Sequence, residues 1–283
     1  MSLLNVSELN AIESPTMIVA FDGWVDAGSA STTAGAHLAA GGKVVATVDP
    51  DAVFDYRARR PTLDIRDGRP SELSWPELQL RHRTLGDHEL LVMVGPEPDF
   101  RWQQLAKEVT KLAKRVGVVQ WISLGAIPAA VPHTRPVPIL GTESADGLLR
   151  ADVQPGPTGL LRVPAAAISA LDIAVSGSGI PALGYFAQIP HYISGPYPTA
   201  AMELVRTVGK HLGEDVSLAG LEEESRQLRT RLDAATAVDE TTRAYVERLE
   251  AMVDEARLPS GDELISDIER FLRDRGTPGN RMN

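Results

Sequence analysis

Five short runs of apolar residues are the feature that most constrains the fold of this chain. The first covers residues 15–21 and ends at Asp22-Gly23, and polar residues do not alternate through it. Strands buried on both faces have this pattern, and they belong to parallel or mixed sheets that helices cover. The other runs are residues 44–48, 89–94, 118–124 and 180–187. We therefore predict an α/β fold with a mixed, mostly parallel central sheet.

Helical patterns separate these runs, as crossover connections between parallel strands require. Residues 27–40 are rich in small side chains, and residues 102–116 and 199–212 place apolar side chains every three or four positions. Residues 78–85 alternate only partly, which is typical of a more exposed strand. That strand follows a Pro- and Arg-rich segment, residues 57–76, which we predict to be a loop.

The composition changes after the helix predicted over residues 199–212. Charged residues become more frequent, and Gly and Pro become rare. We predict an α/β core domain over residues 1–213 and a helical C-terminal extension over residues 214–283. The extension should contain amphipathic helices within residues 218–257, a last helix that begins at Ser260, and a loose tail from about residue 276.

The charge and the composition exclude several function classes. The chain has 28 Lys and Arg against 38 Asp and Glu, a net charge of −10, which argues against binding to nucleic acid. It has no cysteine, so it has neither disulfides nor thiolate metal sites, and its six histidines lack the spacing of metal ligands. We expect no metal and no cofactor. Without a basic leader or an apolar run of about 20 residues, we expect a cytoplasmic protein with no membrane contact.

The loop after the first run carries the first group of candidate site residues. Asp22, Gly23, Trp24, Asp26 and Gly28 lie where α/β folds place their ligands, because strand ends and helix N-terminal amides converge there. Asp22 or Asp26 is a candidate acid, base or ligand anchor. The alternative is structural: Asp26 caps the following helix, and the two glycines supply unusual backbone angles.

The loop after the run at residues 89–94 carries a second group. Gly95, Glu97 and Asp99 reach the same edge of the sheet as Asp22 if their strands are parallel. Carboxylates brought together there could raise one another's pKa or bind a cation. The prolines of this loop equally suit a rigid turn, with Asp99 as the N-cap of the next helix.

A third group follows the run at residues 118–124. His133, Thr134 and Arg135 provide a titratable imidazole, a hydroxyl and a fixed cation in consecutive positions. Arg135 could bind a phosphate or carboxylate while His133 carries a proton. As a structural alternative, Arg135 could pair with Glu97 or Glu143.

Four motifs occur in order along the chain: Gly23-Trp-Val-Asp-Ala-Gly28, Gly95-Pro-Glu-Pro-Asp99 with Arg101-Trp102, Pro132-His-Thr-Arg-Pro136, and Leu258-Pro-Ser-Gly-Asp-Glu263 with Glu269-Arg-Phe-Leu-Arg273. Together they resemble those of the proteasome assembly chaperone 2 family, in its actinobacterial branch. The resemblance extends from about Pro15 to Arg275, and the four motifs together are far more specific than any one alone.

The resemblance implies a core like that of nucleoside phosphorylases and peptidyl-tRNA hydrolases, with a C-terminal helical extension. It also implies a homo-oligomer in the form of a small ring, with a trimer favoured. Eukaryotic and archaeal relatives bind proteasome α subunits during assembly of the core particle. This chain ends Asn280-Arg-Met-Asn283 and lacks the hydrophobic-Tyr-any-residue terminus with which several members dock, which argues against docking of that kind.

Two functions from different classes follow. The first is a non-enzymatic oligomeric assembly factor with proteasome α subunits as candidate partner. The second is a small-molecule-binding protein or a hydrolase- or phosphorylase-like enzyme, with Asp22, Asp26, Glu97, His133 and Arg135 around one cleft at the sheet edge. We favour the first, because the chain contains no Walker loop, no G-x-G-x-x-G, no G-x-S-x-G and no H-E-x-x-H motif.

Overall fold

The computed structural model of the protein describes residues 2–7, 9 and 12–256. The strands are β1 (Leu4–Val6), β2 (Thr16–Phe21), β3 (Lys43–Val48), β4 (Thr62–Arg66), β5 (Arg69–Ser74), β6 (Gln79–Leu85), β7 (His88–Gly95), β8 (Gln120–Ala129), β9 (Ile139–Glu143), β10 (Gln154–Pro155) and β11 (Ala182–Pro190). The helices are α1 (Ala30–Ala39), α2 (Pro50–Val53), α3 (Trp102–Arg115), α4 (Ala167–Ser176), α5 (Pro198–Leu212), α6 (Ala219–Val238) and α7 (Glu240–Ala256).

Within the described residues, nine strands form one mixed sheet in the order β1-β3-β6-β7-β2-β8-β11-β9-β10. The four central strands β7, β2, β8 and β11 are parallel. On one side β6, β3 and β1 continue in antiparallel pairs, and on the other β9 is antiparallel to β11. The predicted fold class, a mixed and mostly parallel sheet covered by helices, is confirmed.

The central strand β2 shows why its sequence does not alternate. Met17, Val19 and Phe21 belong to the core under α3 and α4, whereas Ile18 and Ala20 belong to the core under α1 and α5. Both faces of the strand are therefore covered by helices, and every residue of β2 is buried.

The segment predicted to be a loop, residues 57–76, contains a β-hairpin, so this part of the prediction is wrong. β4 and β5 pair antiparallel and form a separate two-stranded sheet. The turn between them is Asp67-Gly68, and both residues have positive φ, as a tight hairpin turn requires. The prolines and arginines of the segment obscured a short alternation of apolar and polar residues in β4.

The helices α6 and α7 confirm the predicted pair of amphipathic helices within residues 218–257. Their buried residues include Leu221 and Ser225 on α6 and Val246 and Leu249 on α7. The boundary between the core and the extension stays a prediction. The last helix predicted from Ser260 and the loose tail lie outside the described residues. Among the described helices, none combines the length and apolar character that crossing a bilayer requires.

Candidate functional site

The carboxyl ends of the parallel strands β7, β2 and β8 meet at one edge of the sheet, and Asp22 follows β2 there. Its carboxylate accepts two hydrogen bonds from the Arg59 guanidinium, at 2.6 Å from Nη1 to Oδ2 and 2.9 Å from Nη2 to Oδ1. The backbone N–H of Glu97 donates a third, at 2.8 Å to Asp22 Oδ1. Asp22 is thus held in a two-pronged ion pair, the geometry that carboxylate and guanidinium favour.

Glu97 ties the loop after β2 to the first turn of α4. Its Oε2 accepts a hydrogen bond from the Trp24 backbone N–H at 3.4 Å, and its Oε1 accepts one from the Ala167 N–H at 2.6 Å. A carboxylate at the N-terminus of a helix is favoured because free N–H groups and the helix dipole point at it. Asp22, Arg59 and Glu97 together are called the acid cluster below.

The contact between Glu97 and the loop after β2 requires a glycine at position 23. Its φ is +94°, and a Cβ at this position would come within 2.6 Å of Glu97 Oε2. Gly28 has a φ of +61°, and a Cβ there would approach the Tyr197 Cβ to 2.8 Å. The two glycines of the first motif therefore let the backbone pass close to neighbouring side chains.

Asp26 serves as a cap for α1, as the structural alternative proposed. Its Oδ1 accepts hydrogen bonds from the backbone N–H and the hydroxyl of Ser31, both at 2.7 Å, and from the N–H of Thr32 at 3.2 Å. The Thr32 hydroxyl donates to Oδ2. The carboxylate of Asp26 thus satisfies donors of the first turn of α1, and it is buried.

Asp99 does not cap α3. Its carboxylate Oδ2 accepts a hydrogen bond from the Asp55 backbone N–H at 2.8 Å, and Arg101 occupies the position before the helix with a φ of 60°. Gly95 has a φ of +154°, and a Cβ there would meet the Glu77 carbonyl oxygen at 2.5 Å. The second motif therefore fixes the path of the loop after β7.

His133 lies under α6, where it belongs to a second polar network. The Tyr192 hydroxyl lies 2.7 Å from His133 Nδ1, and His133 Nε2 lies 3.3 Å from Asp233 Oδ1. Arg229 donates to the His133 carbonyl oxygen at 2.9 Å. Burial, reinforced by the nearby Arg229 charge, lowers the pKa of His133 below its ordinary value. We call His133, Tyr192, Arg229 and Asp233 the His133 cluster.

The next two residues of the third motif contact α7. Thr134 donates its hydroxyl hydrogen to Glu250. Arg135 pairs with Asp254, at 2.9 Å from Nε to Oδ1 and 2.6 Å from Nη2 to Oδ2, and with Glu250 at 3.3 Å. The acidic partners of Arg135 are therefore on α7, and they are neither Glu97 nor Glu143.

Glu143 lies apart from the other candidate residues. It ends β9, which runs antiparallel to β11, so it sits opposite Leu183 near the amino end of β11. There its carboxylate accepts hydrogen bonds from the N–H groups of Leu148 and Leu149, at 2.8 and 2.9 Å. The structure thus divides the charged candidates into Asp22 and Glu97 of the acid cluster, the capping residue Asp26, Asp99 on the loop after β7, the network around His133 and Arg135, and the separate Glu143.

No hydrogen bond or ion pair among the described residues joins the acid cluster to the His133 cluster. A small cavity of about 70 Å³ lies beside His133 and is lined by His133, Tyr197, Thr199, Ser225, Arg229 and Leu232. Within the part of the chain that the structure describes, no group of three His, Asp or Glu side chains could hold a metal ion. The acid cluster and the His133 cluster are therefore two separate hydrogen-bond networks among the described residues.

Sequence reasoning missed several residues that complete these networks. Arg59, Tyr192 and Arg229 lie far along the chain from the motifs they contact, and no local pattern marks them. Asp172 on α4 was also missed. It accepts hydrogen bonds from Trp121 Nε1 at 2.7 Å and from the Ser123 hydroxyl, and burial raises its pKa to about 6.

Exposed apolar side chains lie on three chain segments that adjoin residues of the acid cluster or their hydrogen-bond partners. Trp24 is 63 % exposed, and it lies on the loop after β2 whose backbone Glu97 binds. Phe100 follows Glu97 on the loop after β7, and three further exposed residues lie on the segment that enters α4 at Ala167. We call this set the apolar rim: Trp24, Phe100, Leu160, Leu161 and Val163.

A model of the PAC2 family matches residues 20–236, which is more than half of the chain. The chain belongs to the PAC2 family. This match confirms the family that the motifs indicated.

Solved structures of similar proteins agree with this assignment. A Corynebacterium glutamicum protein of unknown function shares 28 % identity with a TM-score of 0.81, over 89 % of this PAC2 chain and 97 % of that chain. A Mycobacterium tuberculosis proteasome-assembly chaperone homologue shares 33 % identity with a TM-score of 0.74, over 82 % of this chain and 99 % of that chain.

A more distant structure shares the fold alone. An archaeal proteasome activator from Pyrococcus furiosus is 16 % identical with a TM-score of 0.65, over 82 % of this PAC2 chain and 97 % of that chain. No curated protein matches the chain significantly.

Proposed function

We propose that this PAC2 protein is a non-enzymatic, oligomeric binding protein that assists proteasome assembly, with proteasome α subunits as its partner. The observation that carries the proposal is the apolar rim, whose five members, Trp24, Phe100, Leu160, Leu161 and Val163, are exposed to solvent. Aromatic and apolar side chains of this kind anchor protein interfaces when a partner excludes water from them.

The polar groups beneath the rim suit a scaffold better than a reaction centre. Asp22 is neutralised by Arg59, Glu97 binds two backbone N–H groups, and Asp26 caps α1. A general acid or base needs a free proton-binding site within reach of a substrate. Because these carboxylates are already engaged in holding loops together, they support a rigid platform for the apolar rim.

The relatives supply the choice of partner. A homologue at 33 % identity, from Mycobacterium tuberculosis, is described as a proteasome-assembly chaperone homologue, and a PAC2 family protein from Streptomyces avermitilis is 32 % identical. These sources also support an actinobacterial origin for this chain. The family resemblance supports self-association, with a trimer favoured, and we place the protein in the cytoplasm, where proteasome core particles assemble.

Native mass spectrometry tests the proposal directly. The purified chain is measured alone and after mixing with proteasome α subunits from an actinobacterium. We expect a homo-oligomer on its own and a new stoichiometric complex with α subunits. The double variant Trp24→Ser, Leu161→Ser removes apolar area from the rim and should reduce the population of the complex at least tenfold, the effect of losing one interface anchor.

The matched control is Ile173→Ser, which removes an exposed apolar side chain from α4, outside the rim. Ile173 is 74 % exposed, so its loss should leave both folding and complex formation unchanged. If the wild-type chain ignores α subunits, or if the rim variant binds them as well as the wild type, the proposal is wrong.

A further inference from the structure

A cavity of about 530 Å³ lies between α5, α7 and the β9–β10 side of the sheet. Pockets that bind small molecules have volumes of about 300 to 1,000 Å³. None of the residues of the acid cluster, the His133 cluster or the apolar rim lines this cavity. It is therefore a separate place in the fold at which a ligand of moderate size fits.

One wall of the cavity is apolar. It is formed by Val131, Val137, Pro138, Ile139, Val153 and Val253. Contact with such a wall removes the apolar surface of a ligand from water, which favours a ligand with a carbon body. Because Val253 belongs to α7 and the other five residues belong to the segments around β9 and β10, a ligand in the cavity contacts both α7 and the core.

The helix α5 contributes three polar side chains to the opposite wall. Glu203, Thr207 and Lys210 are spaced by four and by three residues, so they lie on one face of the helix. Thr207 is only 5 % exposed, and its hydroxyl makes no hydrogen bond with the described part of the chain. A buried hydroxyl without a partner costs free energy. Its place on the cavity wall therefore points to a polar group of an occupant.

The charges around the cavity leave one cation without a close partner. Asp152 accepts a hydrogen bond from Arg150, at 2.9 Å from Nε to Oδ1, and this bond holds the pKa of Asp152 below its ordinary value. Glu203 is paired with Arg206, at 2.5 Å from Nη1 to Oε2. The Lys210 ammonium lies 3.8 Å from Asp152 Oδ2 and has no closer carboxylate among the described residues. Both carboxylates of the cavity are thus engaged by arginines, and the charge of Lys210 is available to an anion.

We infer that this cavity binds an organic carboxylate with an apolar body. The Lys210 ammonium pairs with the carboxylate, and the Thr207 hydroxyl, one turn earlier on the same face of α5, donates a hydrogen bond to it. The carbon body lies against the apolar wall. A cationic ligand finds no free carboxylate here, and a compact anion such as phosphate leaves the apolar wall uncovered. The inference goes beyond the proposed function and depends neither on self-association nor on α subunits.

Equilibrium dialysis of the full-length protein tests the inference with three probes that share one carbon chain. Octanoate carries a carboxylate, octylammonium carries a positive charge, and 1-octanol is neutral. We expect octanoate to fill one saturable site per chain at submillimolar concentration. Octylammonium and 1-octanol should bind at least tenfold more weakly, because neither can pair with the Lys210 ammonium.

Substitutions on α5 locate the site. Lys210→Met keeps an apolar stem but loses the charge, and it should weaken octanoate binding at least tenfold, whereas Lys210→Arg restores the charge and should bind within a few fold of the wild type. Thr207→Val removes the hydroxyl at nearly the same shape and should weaken binding severalfold. The matched control is Lys114→Met, which removes an exposed lysine of α3 outside the cavity and should bind as the wild type does.

Hydrogen exchange gives a second readout that does not depend on affinity alone. Saturating octanoate should slow exchange of the amides around Thr207 on α5 and around Val253 on α7 in the wild type, and not in Lys210→Met. The inference is wrong if octanoate shows no saturable binding at low millimolar concentration, or if the three probes bind equally well. It is also wrong if Lys210→Met binds octanoate as the wild type does, or if protection appears only outside α5 and α7.

Discussion

The strand β2 and the helical pair α6–α7 are held in the molecule by different forces. β2 is covered on both faces by apolar side chains from four helices, and all six of its residues are buried. α6 and α7 meet the core partly through apolar residues and partly through the network around His133 and Arg135. Apolar burial is non-directional and does not depend on charge. Partly exposed ion pairs weaken as the salt concentration rises, and they are lost when a change of pH removes the charge of either partner.

The difference teaches that the two regions can be loosened separately. Removing apolar volume beside β2 should destabilise the whole fold. The core unfolds cooperatively, so a cavity in it lowers the free energy of unfolding of the entire structure. Removing the ion pairs of Arg135 should weaken the attachment of α7 to the core and leave the sheet intact. Three substitutions test this contrast.

The largest effect is expected for Leu91→Ala on β7, beside β2. Leu91 is fully buried in the core under α3 and α4, so the truncation leaves a cavity and should lower the free energy of unfolding by about 3 kcal/mol. Chemical denaturation followed by circular dichroism measures the loss. Ile173→Ala on exposed α4 surface is the control, expected within about 0.5 kcal/mol of the wild type. A loss for Leu91→Ala no larger than that would contradict the account of the core.

An effect of intermediate size is expected for Asp172→Asn, which should raise the free energy of unfolding instead of lowering it. The folded state binds a proton at Asp172 more readily than the unfolded chain, because burial raises the pKa of Asp172 from 3.8 to about 6. Stability of the wild type therefore falls as pH rises from about 4 to about 6, and it stays lower above that range. Asn can still accept from Trp121 and Ser123 without a buried charge, so the variant should be more stable above pH 7, by at most about 3 kcal/mol.

Denaturation curves of wild type and Asp172→Asn at pH 4, 6 and 8 measure this. The difference between the two proteins should be near zero at pH 4 and should grow to its full size by pH 7. The control Asp172→Leu lacks an acceptor for the Trp121 N–H and should be less stable at every pH. A stability difference that does not change with pH would show that the Asp172 carboxyl is solvated in the folded state.

The smallest effect on the fold, and the most local, is expected for Arg135→Met. Methionine keeps part of the apolar stem but loses the contacts to Glu250 and Asp254. Hydrogen exchange of α7 amides should become severalfold faster, while exchange in β2 stays unchanged. Arg206→Met, which removes an ion pair with Glu203 within α5, is the matched control. Equal acceleration in β2 and α7 would mean that the helices and the sheet open as one unit.

The sequence predicts much of the sheet because its signal is local. The five apolar runs correspond to β2, β3, β7, β8 and β11, and β8 and β11 merely extend further at their carboxyl ends than the runs suggested. The hairpin β4–β5 was missed because Pro61 and Pro70 are breaker residues and its apolar side chains face solvent. Every residue of the hairpin is exposed, and the alternation in β4 is short and does not continue into β5, so the pattern is weak.

The candidate site was predicted only in part, for a related reason. The position of Asp22 and Glu97 at one edge follows from parallel strands, and the cap formed by Asp26 follows from its spacing to α1. The partners of the third motif do not follow from spacing, since Arg135 meets an acid 119 residues further along the chain. Such contacts depend on how α7 packs against the core. Short-range patterns in the sequence do not contain that information.

The long separation between Arg135 and Asp254 also sets an order of events during synthesis. A ribosome adds about 5 to 20 residues per second, so Arg135 waits roughly 6 to 24 seconds before Asp254 has been made. In that interval the nascent sheet carries the His133–Arg135 segment without the α7 carboxylates that later cover it. The ion pairs that join Arg135 to α7 are therefore among the last contacts of this fold to form.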